Sequence, residues 1–293
     1  MATLHTHRAA SVPVLTLLVA AAALALTTTI PSAAAQPWTG CDAESGNYSA
    51  SSAYAANLLA LISDLRANAS TSPALFASGS AGSGASTVYG VVLCRGDVTA
   101  SDCFDCGTRA GEDVEQACNR TRDTALVYNQ CYVRVAATDF LASPNNTGVV
   151  GLWSGTTIPS GVDVAAYDAA ITRLLNATSS AAAAARMYFA TGQFAGLDPR
   201  VPNIWSMAQC VGDLSPEECR GCLGDLAAQW WNNVTGFVRN GQGARFAGSR
   251  CNLRSELGKF YTGAPTVKLP MNGEAAVPAP APSSTVVGGT GEE

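Results

Sequence analysis

The ten cysteines of this 293-residue chain have a spacing that could support several kinds of chemistry. The stretch CRGDVTASDCFDC, from Cys94 to Cys106, returns as CVGDLSPEECRGC, from Cys210 to Cys222. Each stretch ends in a Cys-x-x-Cys pair, which suits a redox dithiol, a four-thiolate zinc site or structural disulfides. The even total and the outlying cysteines favour structural disulfides in an oxidising compartment. We therefore expect no metal ion and no cofactor.

The two stretches mark a tandem duplication with an offset of 116 residues. Downstream, Cys131 corresponds to Cys251 with four additional residues inserted. We assign the two copies to residues 37–140 and 150–263. Apolar residues upstream of each stretch recur at helical spacing; they are Leu58, Leu61, Ile62 and Leu65 in the first copy, and Ile171, Leu174 and Leu175 in the second.

The elements of each copy follow one order. A helix precedes an extended stretch, Ser86–Cys94 or Asn203–Cys210, and a second helix, capped by Ser101 or Ser215, carries the Cys-x-x-Cys pair. A β-rich end follows near Ala125 and Arg245. This order predicts an α+β fold in which helices pack on an antiparallel sheet.

The copies differ in cysteine number, and the difference restricts the pairing. The first copy has six cysteines and the second has four, without counterparts of Cys41 and Cys118. If both copies share one scheme, Cys41 pairs with Cys118, and three arrangements remain open for the other four cysteines of the first copy. Trp153 stands near the place of Cys41, and Val234 at the place of Cys118. We expect the second copy to depend on packing where the first depends on sulfur.

The two ends of the chain predict secretion. A basic start, an apolar run and Ala33-Ala-Ala35 indicate a cleavable signal peptide over residues 1–35. The apolar run is shorter than the ~20 residues that a membrane anchor, the alternative, would need. Residues 264–293 are rich in Pro, Ala, Ser, Thr and Gly, which predicts a disordered tail. We expect a released protein without a membrane anchor.

The composition excludes several classes of function. His5 and His7, the only histidines, lie in the expected signal peptide, so the mature chain would lack a Ser-His or Cys-His nucleophile pair. Its net charge is near −6 with two lysines, Lys259 and Lys268, which argues against nucleic acid as a partner. The acids Asp213, Glu217 and Glu218 could suggest a glycosidase, but acids near a helix start commonly serve its dipole. We expect no enzymatic activity.

The doubled Cys-x8-Cys-x2-Cys motif, the later cysteines and the secretory leader resemble the plant ginkbilobin-homologous family, also called the salt-stress response/antifungal cysteine-rich repeats. The resemblance covers nearly all of the chain between leader and tail. It implies two tandem domains, each with a five-stranded antiparallel sheet and two helices. It also implies one of the open pairing schemes: Cys94–Cys103, Cys106–Cys131, Cys210–Cys219 and Cys222–Cys251, beside Cys41–Cys118.

The resemblance further implies a mannose site in the second copy. Single-domain members bind mannose through an Asn directly after the first cysteine, an Arg six residues before the last and a Glu five residues after it. In the second copy these places hold Ser154, Arg245 and Glu256; in the first they hold Asp42, Ala125 and Ala136. The implied function is a secreted, mannose-binding antifungal defence protein of the plant apoplast. Its partners would be mannosylated fungal glycans and glycoproteins, including wall-modifying enzymes.

Two alternatives compete with this interpretation. Arg245 and Glu256 could form an ordinary exposed ion pair, and the chain could be a non-catalytic module that docks apoplastic proteins, as related receptor-kinase ectodomains do. Six Asn-x-Ser/Thr sequons are candidate glycosylation sites; they begin at Asn47, Asn68, Asn119, Asn145, Asn176 and Asn233.

Overall fold

The computed structural model of the protein describes residues 37–231 and 240–270. The expected signal peptide, Val234, the sequon at Asn233 and residues 271–293 lie outside these ranges. Within them, no helix is both long and apolar enough to cross a bilayer.

The first copy is an α+β domain with a five-stranded antiparallel sheet in the order β1-β4-β5-β3-β2. Its strands are β1 (Trp38–Cys41), β2 (Phe76–Ala81), β3 (Val88–Cys94), β4 (Asp123–Val127) and β5 (Cys131–Ala136). Its helices are α1 (Ala53–Thr71) and α2 (Ala100–Ala117), which pack on each other and on the sheet. Leu58, Leu61, Ile62 and Leu65 are buried in this domain's core, as the helical spacing predicts.

The second copy repeats this plan but has six strands rather than the expected five, in the order β11-β7-β8-β10-β9-β6. Its strands are β6 (Val150–Trp153), β7 (Phe189–Asp198), β8 (Val201–Cys210), β9 (Gly243–Ala247), β10 (Cys251–Glu256) and β11 (Val267–Pro270). Its helices are α3 (Val164–Ala184) and α4 (Pro216–Trp231).

The additional strand corrects the expected tail boundary. Residues 264–293 were predicted to be disordered, yet β11 pairs in parallel with β7, and the Thr191 and Thr266 side chains also bond there. The physical reason is that β7 is otherwise an edge strand whose N–H and C=O groups need partners. A composition rich in proline and small residues predicts that a segment forms no structure by itself. It does not tell whether the segment pairs with an open strand edge elsewhere in the protein.

The start of α2 corrects a second expectation. Thr99, not Ser101, caps this helix: its side chain accepts from Asp102 N at 3.0 Å, and Asp102 Oδ2 accepts from Thr99 N at 3.2 Å. This reciprocal capping box needs an acid three residues after the cap, and Ser101 has Phe104 there. The expected cap of α4 does form, with Ser215 and Glu218 exchanging the same two bonds.

Five disulfides staple the helices to the sheets; they are Cys41–Cys118, Cys94–Cys103, Cys106–Cys131, Cys210–Cys219 and Cys222–Cys251. These are the pairs that the duplication and the family resemblance implied. The two bridges that the copies share connect β3 and β5 to α2 in the first copy, and β8 and β10 to α4 in the second.

Strand register places Trp153 at the position of Cys41. Cys41 lies opposite Thr124, and Trp153 opposite Ala244, each seven residues before the last cysteine of its copy. Nearby, Trp230 is 2% exposed and packs on Phe246 with ring centroids 5.5 Å apart. The second domain therefore has aromatic packing around the position where the first has a disulfide.

The two domains are joined by a polar and apolar junction. The sheet face of the first domain that points away from its helices shares a buried cluster with the second domain's core. Gln209 Nε2 donates to Cys94 O at 2.8 Å, and Thr262 N donates to Asp97 Oδ2 at 2.7 Å. These bonds join the end of β3 and the loop after it to the second domain.

Candidate functional site

A cavity of about 210 Å³ lies at the junction of the two domains. All three residues predicted for the sugar site, Ser154, Arg245 and Glu256, line it. Residues from both domains complete the wall: Leu152, Trp153, Gly243, Ala244 and Arg254 from the second, and Trp38 and Asn129 from the first.

The antiparallel register brings the charged residues together. Arg245 of β9 lies opposite Arg254 of β10, and Gly243 lies opposite Glu256. Because paired residues and residues two apart share a sheet face, these four positions project on one side. Ser154 follows β6 directly, and its N–H donates to Gly243 O at 2.8 Å, which fixes it beside the same edge.

Arg245 is buried, with 6% of its surface exposed. Its Nη1 donates to Tyr128 O of the first domain at 2.6 Å, while its buried Nε has no hydrogen-bond partner among the described residues. Burial, reinforced by the charges of Arg254 and Arg95, lowers the pKa of Arg245 to about 9. Arg245 is therefore not part of an exposed ion pair, so this alternative is wrong.

Glu256 forms its ion pair with Arg254, whose Nε lies 3.2 Å from Oε1. The other carboxylate oxygen lies over Gly243, where any Cβ would overlap it. Burial raises the pKa of Glu256, although the two nearby guanidinium groups oppose the shift. A partly buried carboxylate thus faces the cavity as a hydrogen-bond acceptor.

Ser154 contributes a hydroxyl group that is already used in a local turn. Its Oγ accepts from Thr156 N at 3.1 Å and donates to Thr156 O at 3.2 Å. A hydroxyl oxygen has a further lone pair for a ligand, but the group has fewer hydrogen-bonding positions than the carboxamide that the family resemblance implies at this position.

Sequence reasoning missed the contributions of Arg254, Trp38 and Asn129. Arg254 stands three residues after Cys251, as Arg134 stands after Cys131, so the internal repeat contained a signal for it. Its Nη1 donates to Asn129 Oδ1 at 3.3 Å, and its guanidinium lies 4.1 Å from the centroid of the Phe260 ring. Nothing in the sequence placed Trp38 and Asn129 beside the second copy.

The corresponding place in the first domain has different chemistry. Ala125 and Ala136 are fully buried there, and Arg134 donates to both oxygens of Asp123 at 2.9 and 2.6 Å. Arg134 Nη1 also donates to Thr147 Oγ1 of the interdomain segment. The charge of Arg134 is therefore neutralised by Asp123, and its remaining donor Nη1 is bonded to Thr147.

Two of the three acids considered for glycoside hydrolysis, Asp213 and Glu218, have structural partners. Asp213 Oδ2 accepts from Arg250 Nη1 at 3.2 Å, and Glu218 caps α4. Among the described residues, no group of His, Cys, Asp and Glu side chains could hold a metal ion.

Fold and site together define a tandem-repeat, disulfide-stapled α+β protein with a polar cavity between its repeats. The chain belongs to the salt stress response/antifungal family, whose pattern matches residues 40–138 and 156–257.

Relatives with this region occur in two formats. The chain is 36% identical over 231 residues to cysteine-rich receptor-like protein kinase 10 of Oryza sativa, a match that covers 78% of this chain and 35% of the kinase. It is 28% identical over 214 residues to an antimicrobial ginkbilobin-2-like protein of Castanea crenata, covering 73% and 84% of the two chains. The chain thus spans about a third of the receptor-like kinase but most of the antimicrobial protein.

A solved structure shows the same fold. The tandem DUF26 ectodomain of the Arabidopsis thaliana cysteine-rich receptor-like protein PDLP8 superposes with a TM-score of 0.56 at 21% identity. The superposition covers 75% of this chain and 97% of that ectodomain.

Proposed function

We propose that this protein is a secreted, non-catalytic, lectin-like defence protein that binds mannose or mannosylated fungal glycans and glycoproteins. The observation that carries the proposal is the convergence of Ser154, Arg245 and Glu256 on one cavity. The similarity to an antimicrobial ginkbilobin-2-like protein supports an antifungal role. Fungal wall-modifying enzymes that carry mannose are a further class of partner.

The chemistry of the cavity suits a hexose. Adjacent sugar hydroxyls are both donors and acceptors; a guanidinium supplies donors in a plane, and a carboxylate accepts from two neighbouring hydroxyls. Trp38, 46% exposed, adds an apolar ring at the rim. Two or three charge-assisted bonds of about 1.5–3 kcal/mol each in a shallow site predict millimolar to tens-of-micromolar affinity. Avidity would then depend on a multivalent surface such as a wall mannan.

Secretion rests on three observations. The leader has the composition of a signal peptide, five disulfides suit an oxidising compartment, and the chain is 26% identical over 222 residues to cysteine-rich repeat secretory protein 38 of Arabidopsis thaliana. Within the described residues, five sequon asparagines are exposed and open to glycosylation; they are Asn47, Asn68, Asn119, Asn145 and Asn176. In this format the protein resembles the two-domain ginkbilobin-like antifungal protein of maize.

Chromatography on immobilised mannose tests the proposal. We expect the mature protein to be retained and to elute with free mannose, whereas Arg245→Ala and Glu256→Ala flow through. Arg200→Ala is the matched control, because Arg200 is an exposed arginine paired with Asp198 outside the cavity. Unretained wild-type protein would rule out the lectin function.

The second candidate is a protein-docking module of the apoplast, favoured by the similarity to receptor-like kinases. A glycan array of the wild type beside Arg245→Ala separates the two. Mannoside signals that vanish in the variant support the lectin, and a blank array with retained binding to an apoplastic protein supports the module.

A further inference from the structure

The candidate cavity contains a positive charge that the protein does not neutralise. Arg254 pairs with Glu256 and Arg95 with Asp97, but Arg245 forms no ion pair within residues 37–231 and 240–270. One carboxylate, Glu256, therefore faces two guanidinium groups in the cavity wall.

The position of Arg245 is energetically unfavourable without a counter-charge. A buried charge is tolerated when it is paired and hydrogen-bonded, yet Nε has no described partner and Nη1 bonds only a neutral carbonyl. The lowered pKa of this guanidinium has the same physical cause. Arg245 lines the cavity, so an anionic ligand group there would supply the missing counter-charge.

We propose that the preferred ligand of this cavity is a hexose that carries a negative charge, as a carboxylate or a phosphate group, and that Arg245 binds this group. The inference rests on the proposed function, since it assumes that the cavity takes a sugar. A guanidinium matches both anions through paired N–H donors.

The remaining wall explains why the ligand is a sugar rather than a bare anion. Trp38 adds an aromatic side chain to the wall, and Ser154 and Glu256 add hydroxyl and carboxylate acceptors. The volume of about 210 Å³ is below the roughly 300–1,000 Å³ of cavities for drug-sized ligands. It therefore suits one sugar ring with the rest of the glycan in solvent.

Titration calorimetry of the full mature chain at neutral pH and constant ionic strength tests this inference. The ligands are mannose, mannuronic acid and mannose 6-phosphate, with acetate and inorganic phosphate as bare anions. We expect at least one anionic sugar to bind about tenfold more tightly than mannose, because its ionised group adds an attraction between opposite charges to the bond that a neutral hydroxyl would make with Arg245. The two anionic sugars show which source of charge the site accepts.

Substitutions at Arg245 test whether this residue causes the preference for anionic sugars. Arg245→Gln should reduce the ratio of anionic to neutral affinity to about one, whereas Arg245→Lys should retain part of it. Thermal melts accompany each titration, so that a binding loss in a folded variant is distinguished from unfolding.

A matched pair of aromatic variants separates charge recognition from ring contact. Trp38→Ala should weaken mannose and the anionic sugars by a similar factor, leaving their ratio unchanged. Phe104→Ala, at an exposed aromatic of the first domain outside the cavity, should change neither.

The outcomes distinguish this inference from the proposed function. If mannose binds and neither anionic sugar binds more tightly, or if the preference survives Arg245→Gln, the inference is overturned and the lectin stands. If no sugar binds, both fall. If bare anions bind as tightly as the charged sugars, the site recognises anions and the inference falls.

Discussion

At the scale of single residues, Gly243 provides the space for the carboxylate of the candidate site. It lies opposite Glu256, and the corresponding pair of the first domain is Asp123 opposite Ala136. The carboxylate of this pair lies on β4 in the first domain and on β10 in the second. The absence of a side chain at Gly243 provides the space for Glu256. We expect Gly243→Ala to displace Glu256 from its present position.

The proposed role of Glu256 predicts that mannose binding depends on pH. Its pKa is raised above the ordinary value of 4.5 by burial, and only the ionised form accepts from two sugar hydroxyls. The contribution of the carboxylate is therefore complete above the raised pKa and is lost as the pH falls through it. We expect the affinity for neutral mannose to fall by roughly ten- to a hundredfold, since one charge-assisted bond is worth roughly 1.5–3 kcal/mol.

Calorimetry with mannose from neutral pH downwards checks this dependence. Glu256→Gln is the matched variant, because it retains an acceptor of similar shape without a titration. Its affinity should be weak and constant across the same pH range. An unchanged wild-type affinity through that range would exclude Glu256 from the site.

At the scale of elements, the two sheets use different means to hold their first strand. Cys41 bonds β1 to Cys118 at the end of α2, whereas β6 has Trp153 at the corresponding position. A bridge acts mainly on the unfolded chain, and an aromatic acts through buried area in the folded one. The domains therefore reach the same fold through different contributions to stability.

Removal of the Cys41–Cys118 bridge should destabilise the first domain strongly. The bridge closes a sequence separation of 77 residues, for which the chain-entropy relation gives about 4–5 kcal/mol. We expect Cys41→Ala/Cys118→Ala to lower the free energy of unfolding by about this amount in urea titrations.

The corresponding double serine variant is the control for side-chain polarity. Similar losses in both variants assign the effect to the bridge itself. A loss below about 1 kcal/mol would mean that strand pairing and packing hold β1 without the disulfide.

At the scale of the whole molecule, the candidate site exists because the two domains pack together. The β4–β5 turn of the first domain supplies Tyr128 O to Arg245 and Asn129 to the cavity wall. The loop after β3 holds the junction through Asp97, which accepts from Thr262 N at 2.7 Å and pairs with Arg95. Contacts outside the cavity therefore position its wall.

Asp97→Ala should loosen this junction without altering any cavity residue. Loss of a buried charged acceptor predicts a decrease in unfolding free energy of about 2–3 kcal/mol, together with weaker sugar binding. Thermal melts and calorimetry measure the two effects.

Asp198→Ala is the matched control, because its partner Arg200 is exposed and both residues lie outside the junction. Equal effects in the two variants would contradict a role for Asp97 in positioning the site.

The repeat in the sequence was sufficient to predict the α+β fold, the order of elements and the Cys41–Cys118 pair. The repeat was insufficient to predict which residue caps α2 and which segment pairs with the edge of β7. Thr99 and Ser101 are both acceptable caps, and the choice depended on which had an acid three residues later. Residues 267–270 have the composition of a tail, but the open edge of β7 recruited them.

The sequence by itself determined which chemical groups are available, because cysteine spacing and the positions relative to the last cysteine are local properties that the duplication makes visible twice. Only the tertiary structure decided that Arg245 is buried against Tyr128 O, that Arg254 rather than Arg245 pairs with Glu256, and that Trp38 joins them. The burial of Arg245 and the place of Trp38 depend on how one domain packs on the other. Arg245 and Tyr128 are 117 positions apart, and local patterns contain no information on contacts at that separation. Arg254 and Glu256 are two positions apart on β10, but pairing with β9 brings Arg245 to the same face, so the choice between the two arginines depends on the placement of their side chains.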